Sequence, residues 1–337
     1  MIWLVWRRYR VLMAVTTVSL AALGIWMLLA GHALAAAESS VPCHYDTFQC
    51  HVESGVFSLS NQATVINFLL LAVPCLLGVV FGAPLVAGEL EHHTNRLAWT
   101  QGISRTRWLL AKWILIALSL LVLVILLTLM SQWWTGHAFE RITLNLSGIG
   151  TGRLQPLYFP ITGLALSAYT VFAFSLGTAL GAILRRTSWA IVGTVILYTA
   201  VSVLSLLFVR PSLAPQTFVA VASAPIPPAG QQSGSLYASG SEVVNPDDWS
   251  LGFGYRFVPS AHETGASAAL VAQRCEAQNY NDSPYLSCLS SHHVQMGTFY
   301  QAGDHYWELQ WRESALLLAA AGVLIGLTVG SVRRWRT

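Results

Sequence analysis

The stretch 88–113 reads GELEHHTNRLAWTQGISRTRWLLAKW and holds two acids (Glu89, Glu91), two histidines (His92, His93) and four bases (Arg96, Arg105, Arg107, Lys112). These types suit ion pairing and hydrogen bonding to another surface. They do not make a reaction centre, because no nucleophile, acid and base converge there or elsewhere. The chain has no GxxxxGK[ST] loop, and Lys112 is its sole lysine, so it lacks that route to ATP hydrolysis. GxSxG, HExxH and CxxC are also missing. The pairs His92-His93 and His292-His293, with His44, His51, His262 and His305, raise the question of a metal. Adjacent histidines point apart and the spacings are not those of ligand sets, so the expectation is no metal and no catalytic residue.

What must position the charged stretch is a membrane. The 337 residues are 54% hydrophobic and 10% charged, with mean hydropathy +0.55, against about 25% charged in soluble domains. Apolar blocks near 11–30, 65–87, 109–130, 157–184, 189–209 and 315–332 approach the roughly 20 residues that cross a hydrocarbon core. Apart from Lys112 they show no ionisable residue, and the lack of mid-membrane charge argues against proton- or sodium-driven transport. Residues 1–37 could instead be a cleaved leader. Their apolar run is about 20 residues, longer than the usual 7–15, which favours a retained span.

Charge sets the expected orientation. Both termini and the 2–3 and 4–5 connections carry 12 of the 18 basic residues, with Glu89 and Glu91 as the acids; the other side holds 6 bases and 13 acids. Both termini are then cytoplasmic. Cys43, Cys50, Cys275 and Cys288 fall on the opposite side and read as two short-range disulfides, Cys43–Cys50 and Cys275–Cys288, in an oxidising compartment, with cross-pairing between the two loops as the alternative. Residues 210–312 begin rich in Pro, Gly, Ala and Ser and continue rich in aromatics. They are expected to form a small stapled external unit, helical near 270–277 and 307–312. Gly177 and Gly181 form a GxxxG, expected to serve packing within the chain.

The pattern Glu91-x-x-Thr94, then Ser104-Arg105 and Lys112, after a second span bearing Gly78, Gly82 and Pro84, resembles the ABC-2 type permeases, especially actinobacterial ones. The opening Trp3-Leu-Val-Trp6-Arg7-Arg8 is similar to theirs as well. One position departs: the family usually has Gly where this chain has His93. The resemblance implies an all-α polytopic protein of six spans in a bacterial cytoplasmic membrane. The spans and charges divide the chain into a transmembrane unit 1–209 with an interfacial N-terminal helix, an external unit 210–312 larger than many family members carry there, and a sixth span with a basic tail over 313–337; the resemblance makes 88–112 the coupling segment. The implied function is the permease subunit of an exporter of drugs, antibiotics, lipids or similar amphiphiles. Its implied partners are a cytoplasmic ABC ATPase, a second permease subunit (identical or paralogous) and membrane lipids, with no nucleic acid. No cofactor would bind this chain; ATP and Mg would sit on the ATPase. The coupling residues would be Glu89, Leu90, Glu91, Thr94, Arg96, Leu97, Trp99, Ser104, Arg105, Arg107 and Lys112. Asn67, Phe68, Tyr169 and Tyr198 are expected on the substrate path. The alternative function is a non-transporting sensor or assembly protein acting through 210–312.

Overall fold

The computed structural model describes residues 2–40, 54–91, 104–136, 153–220, 248–258, 267–278 and 282–334. Six of its helices are long and apolar enough to cross a membrane: span 1 Tyr9–Ala33, span 2 Asn61–Glu91, span 3 Thr106–Trp134, span 4 Ala165–Leu184, span 5 Thr187–Leu213 and span 6 Gly303–Arg334. In a helix every backbone group but those at the ends is satisfied within the segment, as crossing lipid requires.

Span 4 is the centre of the bundle. Of its most apolar window 78% is buried, against 17% for spans 1 and 5. Small residues put it there. A Cβ on Gly177 would lie 2.5 Å from the Gly78 carbonyl oxygen, and one on Gly181 would lie 2.6 Å from that of Ala83. Gly78 and Gly82 reciprocate against Ala173 and Phe174, so spans 2 and 4 meet backbone to backbone. Gly78–Gly82 is also a π-helical turn, an irregularity that a single chain of helical bonds tolerates at a glycine pair. The GxxxG thus serves internal packing, as expected.

Span 4 starts at Ala165 rather than near 157. Pro156 and Pro160 cannot donate backbone hydrogen bonds, and Gly163 takes φ +61°, so 153–164 forms turns and a short 3-10 segment, Phe159–Ile161. Spans 5 and 6 extend past their expected ends and take in Arg210 and Glu313. The expected bounds of spans 5 and 6, near 189–209 and 315–332, are therefore corrected.

The expectation of an all-α chain also needs correction. Between spans 5 and 6 lies an antiparallel sheet in the order β1-β3-β2, with β1 Thr217–Ala220, β2 Trp249–Phe257 and β3 Val294–Gln301. Gly254 and Gly297 leave room for the rings of Phe299 and Phe218, and a bulge at Gly252 (φ +133°) bends β2. Helices Ala268–Gln278 and Asp282–Ser291 pack on this sheet through Val271, Ala272, Leu289 and Val294. Cys275 and Cys288 join them by a disulfide, and the expected helicity of 270–277 and 307–312 is present. Cys43 and Cys50 lie outside the described residues.

Candidate functional site

Two polar centres occupy opposite ends of the bundle. The first is built where span 2 ends. Glu89 and Lys112 are buried and paired, 2.5 Å apart, and the Lys112 ammonium lies 4.0 Å from the centre of the Trp108 ring. A lysine and a carboxylate withdrawn from solvent must be paired, and the cation over an indole face gains further stabilisation. Two residues on, the Glu91 carboxylate accepts from the Thr187 backbone N–H at 3.1 Å and from the Thr187 hydroxyl at 2.6 Å. Span 4 ends with Arg185 in the left-handed region (φ 57°) and span 5 begins directly at Thr187. Arg186, at the position of the N-cap, contributes no side-chain cap. Glu91 supplies it from span 2.

The other coupling residues divide by position. Ser104 caps span 3 by accepting from the Arg107 N–H at 3.4 Å, Arg107 is exposed, and Arg105 lies in the helix that Ser104 begins. Leu90 packs half-buried against the core. Thr94, Arg96, Leu97, Trp99 and His93 lie outside the described residues.

The second centre ties spans 4, 5 and 6 to the αβ unit. Glu313 and Arg210 are both 1% exposed and are paired through Arg210 Nε at 2.9 Å and Nη2 at 3.1 Å. The Tyr169 hydroxyl donates to the same carboxylate at 2.5 Å, and the Ser205 hydroxyl at 2.9 Å. The guanidinium lies 4.3 Å from the Phe159 ring centre and 6.0 Å from that of Trp249 on β2. One turn away, the Gln310 amide accepts from Ala165 N–H and donates to the carbonyls of Phe159 and Thr162, satisfying backbone groups that the Gly163 turn frees. The αβ unit is fixed beside it: Gln301 donates to the carbonyls of Pro211 and Ala214, and Asp248 accepts from Gly303 N–H at 2.7 Å.

The four expected path residues separate into two pairs. Asn67 and Phe68 line a cavity of about 70 Å³ with Thr64, Leu71, Leu157 and Tyr158. Trp134 Nε1 donates to Asn67 Oδ1 at 3.3 Å. Burial pushes the Tyr158 phenol up to about 12, so it stays neutral there. Tyr169 and Tyr198 instead sit inside packed core, edge to face with ring centres 6.2 Å apart.

Sequence reasoning missed Arg210, Glu313, Gln310 and Thr187. A signal for two of them existed. Tyr306, Leu309, Gln310, Glu313, Ser314, Leu317 and Ala321 recur at spacings of three and four, and all are buried on one face of span 6. Among the described residues, no group of three His, Cys, Asp or Glu could hold a metal.

Six apolar helices enclosing such paired charges define a multi-pass membrane protein. A family model described as "ABC-2 membrane transporter related" matches residues 5–210, and the chain belongs to that family. No curated protein and no solved structure matches it.

Proposed function

We propose that this chain is the permease subunit of an ABC-2 type exporter that moves an amphiphile out of the cell using ATP hydrolysed by a separate cytoplasmic ATPase. The observation that carries the reading is the family match across spans 1 to 5. The charge distribution agrees with it: by the positive-inside rule the Glu89 end is cytoplasmic and the αβ unit is external. In this reading 88–112 receives the push of the ATPase, and a second permease subunit completes the path. Asn67 and Phe68 form part of that path. Their cavity has no charged lining residue, which suits a neutral or apolar part of the substrate better than an ion. Tyr169 and Tyr198 serve packing and the Glu313 network.

The test is purification of the tagged chain from its native membrane, followed by ATPase assay in nanodiscs with a panel of amphiphiles. An ABC ATPase retained in the complex and stimulated by at least one amphiphile is expected. Retention of no ATPase, with function surviving Glu91 and Arg105 charge reversal but lost on deletion of 210–312, would overturn this reading in favour of a sensor or assembly protein.

A further inference from the structure

Span 5 is poorly buried along its length, yet it is gripped at both ends by carboxylates from other helices. At one end Glu313 of span 6 holds Arg210 and Ser205. At the other Glu91 of span 2 holds Thr187. The grip at Thr187 is unusual in its chemistry. The first turn of any helix leaves backbone N–H groups without partners, and its positive end attracts an anion. A residue beside the helix normally answers both needs. Here Arg186 is extended and provides no cap, while a carboxylate 96 residues away in sequence binds both the amide and the hydroxyl of Thr187.

The same helix end has a second grip. Glu89, two residues before Glu91, is paired with Lys112 of span 3. The last turn of span 2 therefore holds span 3 by one acid and span 5 by the other. From this we infer that Glu91 is a positioning residue that makes the start of span 5 follow the end of span 2. The inference rests on the exporter reading above, since it assigns the contact a task in coupling: a displacement delivered to 88–112 reaches span 5 through Glu91 and span 3 through Glu89. Within the single chain, 17% of the apolar window of span 5 is buried. The two-residue link 185–186 keeps its start against the end of span 4.

The experiment is hydrogen exchange read by mass spectrometry on peptides that begin at or before Leu184 and span Thr187, using the full chain with its co-purified ATPase in nanodiscs. Exchange is measured without nucleotide and with ATP plus vanadate. In the absence of nucleotide, Glu91→Ala should speed exchange of the first-turn amides by about fivefold, the factor one helix cap of ordinary strength carries. Glu91→Gln, which keeps an amide oxygen as acceptor, should retain part of the protection, and Thr187→Ser with Glu91 intact all of it. With nucleotide, the wild type should show altered exchange in both 105–113 and 187–195. Glu91→Ala should keep the first response, which reports an ATPase still seated on 88–112, and lose the second. Unaltered exchange at 187–190 in Glu91→Ala would overturn the capping contact. A nucleotide response at 187–195 that survives Glu91→Ala would overturn its role in coupling. No nucleotide response anywhere in the wild type would defeat the exporter reading, and the coupling role with it.

Discussion

Replacing Glu313 with Ala should be among the most damaging single changes in the protein. The side chain is 1% exposed and accepts from three residues, Arg210, Tyr169 and Ser205. Its removal leaves the Arg210 guanidinium buried to the same degree, with the Phe159 and Trp249 rings and the Pro156 carbonyl as its remaining neighbours. Breaking a buried pair by deleting one partner costs about 3–5 kcal/mol, because an uncompensated charge remains. Thermal unfolding in detergent, followed by loss of the monodisperse peak, should show the apparent Tm of Glu313→Ala falling by at least about 6 °C, taking the low end of the shift per kcal/mol for large domains. Arg210→Met should behave similarly. The double variant Arg210→Met with Glu313→Leu should recover most of the loss, since no buried charge is left to compensate. A Glu313→Ala Tm within 1 °C of wild type would refute this reasoning, and so would a double variant as unstable as either single one.

Other outcomes follow from different contacts. Gly177→Ala places a methyl group 2.5 Å from the Gly78 carbonyl oxygen and should destabilise by about 1–3 kcal/mol, whereas Gly322→Ala, in a helix interior with nothing within 4 Å, should not lower the apparent Tm. Lys112→Ala removes the cation paired with the buried Glu89 carboxylate; Lys112→Met combined with Glu89→Leu should be the more stable of the two variants by thermal unfolding. Cys275→Ser with Cys288→Ser opens a short loop whose closure is worth about 3 kcal/mol, and limited proteolysis should then cleave within 259–293 at protease levels that spare the oxidised protein.

Much of the scaffold could be read from the sequence because lipid imposes a simple rule. A segment either supplies enough apolar residues to span or it does not, and the run near 109–130 shows this without any knowledge of its neighbours. The ends of spans were harder. The Pro156, Pro160 and Gly163 cluster lies in a run whose average hydropathy hides the break. Arg210 and Glu313 look like flanking surface charges until a helix carries them inward to each other, a pairing 103 residues apart that no local pattern announces. The sheet was missed for a similar reason. Strands β2 and β3 are separated by two helices, and β2 contains Gly252 and Gly254, residues that argue against a strand when read alone. At the candidate site, the residue types of Glu89, Glu91 and Lys112 pointed to ionic contact. Their partners within the chain, Thr187 above all, depend on how the helices pack.

The helix Tyr306–Arg334 has 29 residues. At 1.5 Å per residue it is roughly 43 Å long, against about 30 Å of hydrocarbon in a typical bilayer. It can be accommodated only by tilting or by standing well into the headgroup layer. The exposed Trp307 and Trp311, with the Arg312 and Glu308 ion pair, mark its first turns as the part suited to that layer. Because β3 runs into this helix through a single short turn, a change in bilayer thickness that altered its tilt would also tip the sheet. Lipid chain length is thus a lever on the αβ unit, acting through hydrophobic mismatch rather than through any ligand.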